Sequence, residues 1–276
     1  MFYKKKIMLN LHIYCVTDKP VPHLKKSGYI LCAAKNGEFP ETYLNCETGD
    51  NIIHKEKYYS ELTFHYWFWK NKLKINNSDW VGFCQKRRYW IKSESKDKDI
   101  NFENLNHHLL IEPETSWKNY DSIICEPIDV SGVKKVKLIK RGWKSLIKDP
   151  TIFFNTKKQT IKLHFDMHHG YGNLDKAIDC MNIRDREDFR TFVSKNSIFN
   201  PHIMCISKKK LLDKWFKDLF RWLFDCEKIF GFKNLAGYDQ QRLYAYLAER
   251  YLPFWFKKYS KNKELNWVFF DITKQK

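Results

Sequence analysis

The chain has 276 residues, 43% of them hydrophobic and 17% aromatic, with few glycines and prolines; that is length and apolar material for one packed domain, and it excludes a disordered chain. Fifty basic against 32 acidic residues give a formal charge of +18, which favours a polyanion, an anionic membrane surface or a phosphorylated substrate. Much of the excess sits in lysine runs, at residues 4–6, 208–210 and the "KKYSKNK" from Lys257, and each such run reads first as solvated surface.

The N-terminal cations are not followed by a long apolar run, so no signal peptide is expected, and no stretch approaches the roughly 18 apolar residues of a membrane span. "IMLNLHIYCV" (7–16) and "YILCAA" (29–34) predict strands. Between them, "VTDK" puts Thr17 and Asp18 in a loop at the end of the first strand. "TGDNIIHKEKYYSELT" (48–63) supplies Asp50, Asn51, Ser60 and Glu61 ahead of a helix that carries Leu62, Tyr66, Trp69 and Leu73 on one face. A helix N-terminus favours an anion, and an Asp-Asn pair suits ribose or base contacts; a turn at Asp50-Asn51 and a cap at Ser60 is the competing reading.

"WVGFC" and "YDSIICEP" (120–127) predict short strands buried on both faces, as in a parallel sheet. The first ends in Lys86, Arg87 and Arg88. "GVKKVKLIKRG", from Gly132, alternates like an exposed edge strand, and "TIKLHF" (160–165) predicts another. "HFDMHHGYGNL" follows with His164, Asp166, His168 and His169 beside Gly170 and Gly172, the composition of a mobile loop. "HIMCIS" (202–207) predicts a strand, then come two strong helices, "LLDKWFKDLFRWLFDCEKIF" and "DQQRLYAYLAERYLPFWF", and a last strand, "NWVFFDI". The helices carry aromatic stripes at core spacing, whereas "RYLPFWFKKYSKNK" mixes aromatics and lysines as a helix lying on an anionic bilayer does. Eight cysteines sit singly, most of them in apolar runs, and no Cys-x-x-Cys pair occurs, so buried free thiols in a reducing compartment are expected.

These pieces, "GDNIIHKEKYYSELTFHYWFWKN", a strand ending in "RRYW", "YDSIICEP", "FNPHIMCISKKKLLDKWFKDLFRWLFDCEK" and "RLYAYLAERYLPFW", in this order and spacing, resemble a family of bacterial polysaccharide glycosyltransferases. Many of its members are labelled only as a domain of unknown function, and it includes the galactofuranosyltransferase half of a bifunctional O-antigen polymerase. The resemblance implies an α/β, GT-A-like fold with a Rossmann-type nucleotide-sugar site and a helical C-terminal part. It also implies transfer of a sugar from a nucleotide donor such as a UDP-sugar to a capsular or lipopolysaccharide glycan. The family's His-Tyr-Arg-Arg-Tyr is Gln85-Lys86-Arg87-Arg88-Tyr89 here, which keeps both arginines and leaves the donor sugar open. Its Asn-Met-Phe-Ile-Met is "NPHIM" here, so Asn200 matches while Pro201 and His202 are this chain's own. Glu249 stands where the family has an acidic residue.

The chain is expected to be a single domain, 1–276, with an α/β nucleotide-binding part over 1–165 and a mainly helical acceptor side over 166–276. Ligands of open α/β sheets collect at the carboxyl ends of the strands, where Lys86, Arg87 and Arg88 stand. A guanidinium is always charged and binds phosphate oxygens in a fork, so these cations could hold a departing diphosphate without a metal. Strand alternation would put Lys86 and Arg88 on one face and Arg87 on the other, and a structural ion pair with Glu61 or Asp79 is the competing role. The expected donor site is Thr17, Asp50, Asn51, Glu61, Lys86, Arg87 and Arg88; the acceptor site is His169, Asn200, His202 and Glu249. Asp166 or His168 is the expected base for the acceptor hydroxyl. His164 and His168 would also suit two metal ligands on a helix, which the glycines argue against. No cofactor is expected, with a divalent metal such as Mn or Mg left open. A cytoplasmic site of action, at the inner face of the membrane for a lipid-linked acceptor, completes the expectation. The rival classes are a basic, aromatic-rich nucleic-acid-binding protein and a non-catalytic scaffold of polysaccharide assembly.

Overall fold

The computed structural model describes residues 9–272, so the lysine run at 4–6 and the first two residues of the expected N-terminal strand lie outside the described residues. In chain order the elements are β1 (Leu11–Thr17), β2 (Ile30–Ala33), α1 (Glu56–Tyr59), α2 (Leu62–Asn71), β3 (Trp80–Gln85), β4 (Arg88–Trp90), α3 (Leu105–His108), β5 (Ser122–Cys125), β6 (Ile128–Asp129) and α4 (Lys135–Lys148). They continue with α5 (Ile161–His169), α6 (Asn173–Asp179), α7 (Ile183–Lys195), β7 (Ile198–Phe199), β8 (Cys205–Lys208), α8 (Lys209–Phe230), α9 (Tyr238–Gln241), α10 (Leu243–Tyr259), β9 (Asn262–Leu265) and β10 (Trp267–Phe269).

Eight strands form one mixed sheet, and β6 with β7 forms a separate pair. β1 runs parallel to β2 on one side and to β3 on the other, with Tyr14 opposite both Ile30 and Phe83. β8 lies antiparallel between β3 and β5, and β9 runs parallel to β5. β4 turns back from β3 and pairs with β10. The α/β reading with a helical C-terminal part is thus what the chain forms.

Period-two alternation divides the strand residues between two cores. Tyr14, Val16, Cys32, Phe83, Ile124 and Cys205 pack under α2, α8 and α10. Ile13, Cys15, Leu31, Cys84, Ile123 and Ile206 face a layer of loops and short turns holding Leu24, Leu109 and Trp117. Gly82 lies between Ile13 and Ile206 in the register, and a Cβ there would stand 2.8 Å from Ile206 Cγ1. Of the eight cysteines, all free, only Cys180 is even partly exposed.

Five expectations are corrected. "KVKLIK" is helix α4, not an edge strand, and "IKLHF" opens helix α5. Thr160 caps α5, its hydroxyl accepting from Leu163 N at 3.3 Å, and the supposed mobile loop at 164–172 is the end of that helix and a two-glycine turn into α6. Ser60 does not cap α2; it is the turn residue between α1 and α2, at φ +51. Of the stretch 250–263, expected to lie on a bilayer, residues 250–256 are buried in α10, because a helix apolar on nearly all sides must pack on all sides, while Lys257 and Lys258 are exposed.

Candidate functional site

The carboxyl ends of β2, β1 and β3 open together, and the register Gln85 opposite Arg88 leaves Lys86 and Arg87 as a two-residue turn. The cations therefore sit on a hairpin tip, where strand alternation no longer separates them. Two bonds hold that tip: the Tyr89 hydroxyl donates to Lys86 O, and Phe270 N donates to Arg87 O at 2.8 Å. His23 Nε2 meets the Tyr89 hydroxyl at 2.9 Å from behind. The guanidiniums of Arg87 and Arg88 lie 5.4 and 5.5 Å from the centre of the Phe269 ring.

In front of the tip is a cavity of ≈ 420 Å³ walled by Thr17, Lys86, Arg87, Arg88, Lys19 and Arg242, with Asp18, Glu56 and Glu61 as its acids. Lys86 Nζ is 2.5 Å from Asp18 Oδ1. Burial works to raise the Asp18 pKa, but Lys86 outweighs it and the carboxyl sits below its usual range. Burial pushes Glu56 up, with Arg242 and Lys35 opposing. Glu61 accepts from Gln85 Nε2.

A second cavity of ≈ 190 Å³ shares Glu61, Gln85, Arg88, Tyr238 and Arg242 with the first and adds His202, Tyr246 and Glu249. Glu249 accepts from His202 N at 2.8 Å and from Arg250 Nη1 at 2.5 Å. Burial opposes its charge, yet Arg250 and His202 hold it well below the carboxylate range. His202 keeps a left-handed backbone, φ +69, which that bond to Glu249 stabilises. Burial lowers its imidazole pKa, so the ring is neutral at pH 7. Arg88 Nε and His202 Nε2 are both buried without a hydrogen-bond partner, and both residues line this cavity.

Of the expected site residues, Thr17, Glu61, Lys86, Arg87, Arg88, His202 and Glu249 are thus brought together. Asp50 and Asn51 stand apart: Asp50 accepts from the Tyr66 hydroxyl at 3.0 Å, and Asn51 bonds back to Glu47 O and Gly49 O, the competing turn reading. Asn200 is buried and donates to Cys125 O and Glu264 Oε1, tying β5 to β9. His169 lies behind Tyr246, its ring stacked at 3.7 Å, with Nδ1 2.8 Å from Asp239 O.

Asp166 and His168 line neither cavity. Asp166 is buried against Lys162 at 3.0 Å and accepts from Gly172 N, and His168 Nδ1 meets His164 O at 2.8 Å. The helix that the glycines argued against does form, and it sets the His164 and His168 rings 4.6 Å apart; but Arg250 Nη2 approaches His164 Nδ1 at 3.1 Å, and among the described residues no three His, Cys, Asp or Glu side chains converge as metal ligands would. Lys19, Glu56, Tyr238, Arg242 and Tyr246 were not foreseen. Tyr238 and Arg242, four apart after Gly237 with the guanidinium 5.0 Å from the ring centre, carry the one local signal that could have found them. A separate cavity between α7 and α8 pairs Arg184 with Asp218 and Asp185 with Tyr251 and Lys258, while Arg186 donates to Met181 O.

The chain thus places a cationic, two-compartment cleft at the carboxyl ends of its parallel strands, where open α/β sheets collect their ligands. The chain belongs to the family described as "Domain of unknown function (DUF4422)", which matches residues 12–262. Among solved structures it is similar to the apo structure of the WbbM bifunctional glycosyltransferase, with a TM-score of 0.70 and 20% identity over 95% of this chain, a likeness of fold. The chain spans 45% of that protein. Ktr4p, a mannosyltransferase from S. cerevisiae, aligns with 81% of this chain and 63% of its own at 8% identity, but its TM-score of 0.27 carries no argument. No curated protein matches the chain significantly.

Proposed function

We propose that the protein is a glycosyltransferase that moves a sugar from a nucleotide diphosphate to a saccharide hydroxyl. The observation that carries this reading is the convergence of Lys86, Arg87, Arg88 and Arg242 at the strand ends, directly beside a second cavity that shares Arg88 and Glu61. The larger compartment takes the nucleotide diphosphate. The smaller takes the sugar and the acceptor hydroxyl. As the bond from the anomeric carbon to the diphosphate oxygen breaks, its electron pair goes to the diphosphate, and the fixed cations stabilise that charge. The acceptor oxygen bonds to the anomeric carbon and gives its proton to a base. Glu61, on the wall common to both compartments, is the base best placed for this, in preference to Asp166 or His168.

Within this reading the arginines take the place of a metal at the diphosphate, the acceptor is a growing capsular or lipopolysaccharide glycan, and a furanose such as galactofuranose on UDP is the first donor to try. Of the aromatics that the competing nucleic-acid reading would use for stacking, Trp80, Trp90, Trp117, Trp215 and Trp255 are buried in the cores, while Trp143 and Phe154 stay exposed away from the cleft.

The test is nucleotide release from a panel of nucleotide sugars, with and without chelator. Arg88→Ala should lower turnover by about a hundredfold or more while the protein stays folded, and Glu61→Gln should lower turnover with donor binding retained. If no nucleotide sugar binds or is consumed, the reaction class is wrong; if chelator abolishes turnover, the metal-free arrangement is wrong.

A further inference from the structure

Helix α4 has three faces. Leu138, Gly142 and Ser145 are buried against the body of the protein, Leu138 packing with Leu163 and Met167 of α5. At about 100° per residue, Val136, Ile139, Trp143 and Ile147 form a second strip. These four are 65%, 55%, 51% and 73% exposed, and the neighbouring Phe154 is 81% exposed. Lys137, Lys140, Arg141, Lys144 and Lys148 form the third strip, and the helix holds six cations and no acid. Among the described residues no carboxylate pairs with Lys137, Lys140, Lys144 or Lys148; Arg141 alone is engaged, Nη1 lying 3.0 Å from Asp239 Oδ2.

An apolar strip with a tryptophan at its centre, flanked by unpaired cations, matches the boundary of an anionic bilayer: hydrocarbon under the strip, phosphates beside the lysines. We propose that α4 and Phe154 dock this protein on an anionic lipid surface. Charge complementarity selects that occupant, because a second copy of the chain would bring the same cations face to face. Asp239, the anchor of Arg141, adjoins Tyr238 of the cleft, so a docked molecule holds the cleft rim near the bilayer. A lipid-borne acceptor rests on the proposed transferase reaction; the docking surface does not.

The experiment is flotation of the full chain with vesicles of phosphatidylcholine, alone or with about one third phosphatidylglycerol. Binding is expected on the anionic vesicles, and Trp143→Glu with Ile147→Glu, or Lys140→Glu with Lys144→Glu, should weaken it by about tenfold or more. Their melting temperatures and nucleotide release in solution should match the parent, since α4 lines neither cavity. Absence of vesicle binding, binding indifferent to lipid charge, or binding unchanged in both variants overturns the proposal. So does a dimer of the parent that Trp143→Glu dissolves, or lysine-dependent binding to single-stranded RNA without binding to vesicles. Flotation needs no donor chemistry, so a failed transferase assay leaves it readable.

Discussion

Arg88 and Glu249 show how differently two charges of one cleft are held. Beyond its place over the Phe269 ring, the Arg88 guanidinium makes one long hydrogen bond, Nη1 to Gln85 Oε1 at 3.4 Å, and has a buried Nε without a partner, so much of its donor capacity is uncommitted. That is the state of a ligand-binding arginine, and its removal should cost function more than stability. Glu249 is committed instead: it neutralises Arg250, which is 1% exposed, and fixes the strained backbone of His202. Glu249→Ala leaves a buried guanidinium unpaired and should destabilise the protein by about 3–5 kcal/mol. Urea unfolding checks it, with Arg88→Ala as the control expected to fall within about 1 kcal/mol of the parent. Equal stability of the two variants would mean that Arg250 finds other partners.

At the scale of elements, β3 carries the greatest constraint, because it pairs with β1 along one edge and β8 along the other while ending in the cationic turn. Gly82 permits that double pairing. Gly82→Val would push into Ile206 and Ile13, and should destabilise by about 1–3 kcal/mol, read from the shift of the urea midpoint at constant slope. β1, β2, β3 and β5 were legible because strands buried on both faces write continuous apolar runs. α4 was not. Its inward strip of Leu138, Gly142 and Ser145 and its exposed strip of Val136, Ile139, Trp143 and Ile147 together spread apolar residues around much of the helix, and Val136 and Leu138, alternating with Lys135 and Lys137, then mimic strand spacing. α5 was missed for another reason. Ile161, Leu163 and Phe165 alternate as in a strand, and Gly170 and Gly172, which end one helix and begin the next, give the rest the composition of a loop, so the pattern outweighs the cap at Thr160. The cleft divides in the same way. The hairpin cations follow their strand directly and could be read, while Arg242, Tyr246 and the placing of His202 depend on α9, α10 and β8 folding back across the sheet, which no local pattern encodes.

Across the whole molecule, the net charge of +18 is uneven in use: Lys86 of the cleft pairs with Asp18, whereas the α4 cations other than Arg141 have no carboxylate partner among the described residues. The interior holds a different electrostatic load, in histidines buried as neutral rings. Burial lowers His65 and His164 to about 3 and His169 to about 4, with Arg250 reinforcing the fall at the last two. In the unfolded chain each titrates near 6.5. A depressed folded pKa means that the unfolded state binds more protons between these values, so stability is full above about pH 6.5 and is lost as pH falls towards 4. The slope is about 1.4 kcal/mol per pH unit for each histidine that stays neutral in the fold, up to about 4 kcal/mol per unit for the three. Glu249 and Asp18, whose folded pKa values are also depressed, lose their contributions only below about pH 4, so the histidine window comes first. His65 separates the causes, since it is 2% exposed, its Nδ1 has no partner, and its ring lies 4.4 Å from that of Phe83. His65→Leu keeps the apolar contact and removes the proton site, so it should reduce the loss between pH 6 and 4.5 without shifting the midpoint downward at pH 7.5. Urea midpoints across that range decide it: a flat profile for the parent, or an undiminished slope in His65→Leu, would show that these rings take up protons inside the folded protein.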